Sequence, residues 1–120
     1  MFKKIVIGIS FVVATVFSTV TIGEDAVIAD PQHYTVEFEN DKVRVIRIKY
    51  GPREKSVMHT HGPHVAIFLS ENATRMTLPD GTSEESTSPI GTAAWSDGLA
   101  HLPENLSDEP LEVVLIEVKE

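Results

Sequence analysis

Cysteine is absent from these 120 residues. That excludes disulfides, thiolate zinc and blue-copper sites, and thiol nucleophiles, so a folded unit must hold together by core packing alone. Positive charge is scarce: ten Lys and Arg stand against 18 Asp and Glu, a net charge of −8. An acidic surface repels phosphate backbones and anionic headgroups, which argues against nucleic acid or membrane-surface binding. Aromatic residues are 7% of the chain, with a single tryptophan, Trp95, so few large side chains can fill a core. No helical period follows Ala29, and there is no internal repeat or linker, which leaves one domain.

What is present begins with a three-part leader pattern. Lys3-Lys4 is a short basic start, Ile5 to Val20 is apolar apart from Gly8 and scattered Ser and Thr, and Val27-Ile28-Ala29 offers small residues before a cleavage point. Residues 1–29 are therefore expected to be a secretory signal. An uncleaved anchor is the alternative, because Ile5–Ile22 is just long enough to span a bilayer. Either way residues 30–120 form the domain, expected in the periplasm or secreted. Removing the leader takes two charges of each sign, so the acidic balance persists.

Short strand-like runs separated by turn signals fill the rest, the mark of an all-β, antiparallel sandwich or barrel. Val43–Tyr50 is expected to be a long strand. Its apolar parity switches between Val45 and Ile46, which predicts a bulge or burial on both faces. Pro79-Asp80-Gly81 predicts a hairpin turn. Thr82–Ser88 is polar enough to be an exposed edge that resists sheet extension, and Leu111–Val118 closes the chain as a β-prone strand.

The chemistry is concentrated in Val57-Met58-His59-Thr60-His61-Gly62-Pro63-His64, which holds three of the five histidines. On an extended strand His59 and His61 share a face, with Cα atoms roughly 6.5–7 Å apart, a span two imidazoles can close onto one ion. Two histidines on one strand face are also often plain polar surface. The third candidate ligand, His101, lies in Gly98-Leu99-Ala100-His101-Leu102-Pro103-Glu104-Asn105, and His64 is a candidate fourth ligand or helper. His33 is expected to be solvated, Trp95 to be a core or rim aromatic, and Asn105 to brace the His101 loop. Arg44 and Arg47 lie on a strand that could line a pocket, but exposed strand arginines are common.

Over residues 33–118 the chain resembles the small single-domain cupins. Gly51, a seven-residue spacer, His59 and His61 fit that family's first motif, and Gly91, Gly98, His101 and Asn105 fit its second in order and, from Gly98 on, in spacing. The resemblance implies a cupin-like (RmlC-like) jelly-roll barrel whose two motifs face each other, with metal ligands carried over onto His59, His61 and His101. The departure is the family's glutamate. Val65 and Ala66 stand where it would fall, with His64 the nearest substitute and Glu71 a more distant one.

Neutral imidazoles suit a divalent transition metal such as Fe, Mn, Ni, Zn or Cu better than magnesium or calcium. They leave the ion's charge uncompensated, so a small, anionic ligand is expected at the open position. With a redox metal the expectation is a dioxygenase-like oxidoreductase. Zinc would polarise a carbonyl or activate water, and an isomerase is the other enzyme class expected. The alternative is a module that binds a small ligand or a metal without turnover. A third reading is an exported copper carrier using Met58 and Met76. A homodimer is compatible with all three.

Overall fold

The computed structural model describes Gly8 and residues 23–120. Ten strands and one short helix follow in order: β1 (Glu24–Asp25), α1 (Ala26–Ala29), β2 (Tyr34–Glu39), β3 (Val43–Tyr50), β4 (His59–His61), β5 (His64–Phe68), β6 (Asn72–Thr77), β7 (Ser83–Ser88), β8 (Ala93–Ser96), β9 (Leu99–Asn105) and β10 (Leu111–Val118). They form two five-stranded sheets, ordered β1-β4-β9-β6-β7 and β2-β3-β10-β5-β8. Every pairing is antiparallel except β1 with β4. This is the expected all-β jelly roll: apart from the β2–β3 and β6–β7 hairpins, consecutive strands alternate between the sheets, and the two inner faces enclose the interior.

The second sheet carries the apolar load. Its inner face brings together Tyr34, Ile46, Ile48, Tyr50, Leu111, Val113 and Leu115, all buried, with Ala26 of α1 against them. The period-2 alternation of β10 puts Leu111, Val113 and Leu115 on that face. The parity switch expected at Val45/Ile46 appears as a register shift between β2 and β3. Val36 faces Ile46 and Phe38 faces Val45, so the extra residue is Glu37, on the partner strand. As expected, β7 is an exposed edge strand of Ser, Glu and Thr.

Residues before Asp30 pack against the barrel. Glu24 and Asp25 pair with His59 and Thr60, Ala26 is fully buried, and Asp25 reaches Arg44 at 2.5 Å. Asp25 also caps α1, its carboxylate accepting from the Val27 backbone N–H at 3.2 Å. Gly23 enters at φ +98, and a Cβ there would stand 2.8 Å from the Met58 carbonyl oxygen. Only glycine fits such an approach. The rest of the expected leader, residues 1–22 apart from Gly8, lies outside the described residues. Among the described residues no helix is long and apolar enough to cross a membrane.

Candidate metal centre

The β4–β9 ladder builds the site. His59 pairs directly with His101, and His61 with Leu99, so the shared face of His59 and His61 meets His101 from the neighbouring strand. Ring centroids are 4.7 Å apart for His59 and His61, 4.8 Å for His59 and His101, and 5.1 Å for His61 and His101. One nitrogen from each ring lies within 4.8 Å of the other two, and all three residues are buried. Gly98 makes the approach feasible: its φ is +106, and a Cβ there would stand 2.9 Å from the His61 carbonyl oxygen.

Asn105 ties the two halves together. Its side-chain amide donates to the carbonyls of Gly51 (3.0 Å) and Glu109 (2.9 Å), and its oxygen accepts from the Ser107 N–H at 3.0 Å. It braces its loop as expected, and it does so through the glycine that opens the first half-motif.

Local hydrogen bonds set the direction in which each imidazole presents a lone pair. His59 Nδ1 donates to the Val57 carbonyl at 2.8 Å, which leaves Nε2 as an acceptor turned to the cluster. That Nε2 lies 3.0 Å from Nε2 of His61. His101 Nε2 is buried with no hydrogen-bond partner. A buried polar atom without a partner is costly, and two facing imidazole nitrogens cannot both keep their lone pairs directed at each other without cost. A cation between the rings relieves both, so the residues present fit a metal ion.

Electrostatics agree. Burial, then the neighbouring imidazoles, pushes His101 down to about 2. Burial and the charge of His61 push His59 down to about 4. Both rings are therefore neutral near pH 7, the form a metal needs.

His64 enters the same wall beside His61, ring centroids 5.4 Å apart, but stands outside the set of converging nitrogens. Its Nδ1 donates to the Gly62 carbonyl at 2.8 Å, and burial lowers its pKa. Ala66 lines the cavity, so a methyl occupies the face where the cupin pattern carries glutamate. Glu71 is engaged elsewhere, accepting from the Ile90 N–H at 3.2 Å.

A carboxylate reaches the site from a different strand. Glu117 of β10 pairs with His64 in the ladder. Its Oε1 lies 3.5 Å from Nδ1 of His61, long for a hydrogen bond, and neither atom has another partner. Its Oε2 accepts from Arg44 at 2.9 Å. Burial opposes its charge, but His61 and Arg44 outweigh that and hold its pKa below the usual carboxylate range. Glu117 thus stands behind His61, on the side away from the cluster, where a carboxylate could orient the ring if it held a metal. Arg44 is neither exposed nor in the pocket; it is clamped between Glu117 and Asp25.

His33 corrects another expectation. It is buried, stacked on Tyr50 with centroids 4.5 Å apart, and held between two carboxylates, Asp30 at 2.7 Å and Glu54. Burial works against its charge, yet the hydrogen bonds to Glu54 and Asp30 prevail and raise its pKa. With both nitrogens donating, it has no lone pair for a metal. Ser56 links this group to the centre: its hydroxyl donates to Asp30 at 2.6 Å and lies 3.2 Å from His59 Nδ1.

A cavity of about 560 Å³ opens from the cluster, lined by His61, His64 and His101 and by residues of both sheets. Tyr34 and Tyr50, unassigned as site residues from the sequence, stand in its wall with hydroxyls 2.5 Å apart. Trp95 is on the rim, 57% exposed.

No protein-family model matches the chain, and no curated protein does. Solved structures do match. A cupin domain from Bordetella pertussis Tohama I is 26% identical, with a TM-score of 0.68 over 72% of this chain and 92% of that one. An RmlC-like cupin with a double-stranded β-helix fold, from Methanocaldococcus jannaschii, is 18% identical over 74% and 83%, TM-score 0.56. The polyketide cyclase RemF from Streptomyces resistomycificus is 15% identical over 72% and 64%, TM-score 0.55. The described part of this chain has the fold of a small cupin domain.

Proposed function

We propose that this protein is an exported, metal-dependent cupin in which His59, His61 and His101 hold one divalent transition ion at the head of the cavity, where a small molecule is oxidised in a dioxygenase-like reaction. The observation that carries the reading is the convergence of three buried imidazoles, two of them with an unpartnered nitrogen, on a common centre beside a cavity. When bound, such an ion supplies a Lewis-acidic or redox-active centre with positions open to an oxygen-donor ligand. The chain's own residues do the rest. Val57 and Glu117 fix the orientation of His59 and His61. The phenols of Tyr34 and Tyr50 stay protonated, burial pushing Tyr50 up to about 12 and Tyr34 well above its ordinary value. One donates to the other across 2.5 Å, which leaves a single phenol proton for a bound ligand.

The second reading is a module that binds metal or ligand without turnover. Its support is the all-neutral ligand set: Ala66 stands where a carboxylate would add charge. The copper-carrier form is weaker, because Met76 lines the cavity and Met58 is not among the lining residues. Metal analysis of the purified protein, with His59→Ala and His101→Ala beside it, tests both. We expect one ion per chain in the wild type and none in either variant. A folded, metal-free wild type ends the enzyme reading, and oxygen uptake by the loaded protein separates turnover from storage. Export is supported by the basic, apolar start of the chain, and the mass of protein recovered outside the cytoplasmic membrane tests it. A homodimer through an edge other than β7 belongs to the same proposal, and sedimentation checks it.

A further inference from the structure

The cavity's charge pattern narrows what it accepts. Its floor is the apolar face of the second sheet, with Ile48, Phe68 and Leu115, and Met76 joins from the first sheet. Hydroxyls of Thr74 and Ser86 supply neutral polar contacts at the β6–β7 side. Apart from histidine, the only ionisable acids or bases in the wall besides the two phenols are Glu84 and Glu104, and no lysine or arginine is among the lining residues. The four arginines of the chain are committed to carboxylates: Arg44 to Asp25, Arg47 to Glu37, Arg53 to Asp108, and Arg75 to Glu85 and Glu104.

A carboxylate or phosphate carried away from the ion would lose its hydration, find no counter-charge and face two glutamates. An uncharged apolar body would gain burial at about 25 cal/mol per Å². Only at the three imidazoles, where a divalent ion is uncompensated, is negative charge welcome. We infer that the ligand is a molecule with oxygen donors at one end only and an uncharged, largely apolar body, and that a second anionic group at its far end is rejected. The inference rests on the metal-centre reading and limits the expected anionic character to the atoms at the ion.

A pair of probes separates the two ideas. Benzohydroxamic acid and 4-carboxybenzohydroxamic acid share a metal-binding head and differ by a distal carboxylate. Zinc-loaded full-length protein is titrated with each, following the fluorescence of Trp95, the sole tryptophan and a rim residue, with calorimetry beside it. The uncharged probe is expected to bind about tenfold tighter or more. Ser86→Lys, a change on an exposed edge strand, is expected to remove most of that preference by supplying the missing cation. Equal or tighter binding of the carboxylated probe to the wild type overturns the inference, as does failure of both probes to bind protein that carries its zinc. Protein that takes up no zinc overturns the functional reading itself.

Discussion

The two sheets are built for different work. The inner face of β2-β3-β10 is Ile, Leu, Val and Tyr, and it holds nearly all of the buried apolar side chains. The inner face of β4-β9-β6 buries His59, His61, His101, Asn72, Thr74 and Asn105, all polar, with Leu99, Pro103 and Met76 among them. A barrel of this size has little apolar area to spare. Giving most of one face's buried positions to imidazoles, amides and a hydroxyl makes sense when something besides the hydrophobic effect holds that face in place. Two partly buried ionic groups do so. Asp25–Arg44–Glu117 joins the N-terminal strand and both sheets beside His61. Asp30–His33–Glu54 joins the segment after α1 to the loop before β4, with Ser56 reaching His59. The fold rests on one sheet, and the chemistry is suspended from the other by charge.

The sharpest way to break that contrast is to cut each face once. Ile46 is fully buried in the apolar face, and Ile46→Ala should lower unfolding free energy by about 3–4 kcal/mol while the folded fraction still binds metal. His101→Ala should abolish metal binding yet change the stability of metal-free protein by only about 1 kcal/mol, because a lost contact is offset by relief of an unpartnered, desolvated nitrogen. Urea unfolding and metal analysis on the two variants measure both. A reversed pattern would mean that the histidine face carries the fold.

The N-terminal clamp comes next. A chain starting at Asp30 loses buried Ala26, the β1–β4 pairing and one of the two carboxylates on Arg44. Compared with a chain starting at Gly23, it should be less stable by about 2–3 kcal/mol. Equal denaturation midpoints would show that β1 and α1 merely rest on the barrel, and would leave residue 30 as the start of the domain. Within the site, Glu117→Gln keeps the shape and removes the charge behind His61. It should weaken zinc about 10–100-fold in a competition titration, or about 1.4–2.7 kcal/mol. An unchanged dissociation constant would leave Glu117 as a partner of Arg44 alone.

How much of this was legible in the chain depends on whether the signal was local. His-x-His on one strand face needs only the period of a strand, and Gly98, His101 and Asn105 fit a spacing, so the three converging histidines were within reach. Glu117 was not, because its place depends on the β10–β5 register that sets it opposite His64. One local hint existed: Leu111, Val113, Leu115 and Glu117 share a parity, and a charge on an apolar strand face needs a buried partner. Nothing similar marks His33. Its carboxylates come from three residues before it and twenty-one after it, and the second contact exists only once the loop before β4 folds back. The packing of residues before Asp30 was hidden because Val27-Ile28-Ala29 satisfies a cleavage pattern, while the residue that anchors the helix is the neighbouring Ala26.

The smallest effect contrasts the histidines directly, in protein stripped of metal. His33 has a raised folded-state pKa, so its contribution is complete below the unfolded value near 6.5 and is lost as pH rises through the folded value. His59 and His101 are depressed, to about 4 and about 2. Their rings stay neutral in the fold while the unfolded chain takes up protons, so stability falls as pH drops below about 6.5 and keeps falling until each folded pKa is reached. Between about pH 7.5 and about pH 6 each depressed ring should cost the wild type about 0.8 kcal/mol. His101→Ala should lose less than the wild type over that interval by about this amount, and His33→Ala should keep the acid loss while shedding the alkaline one. Parallel pH profiles for all three proteins would show that His101 of the cluster and the caged His33 are not electrostatically opposed, which would remove this reason for calling one a ligand and the other a clamp.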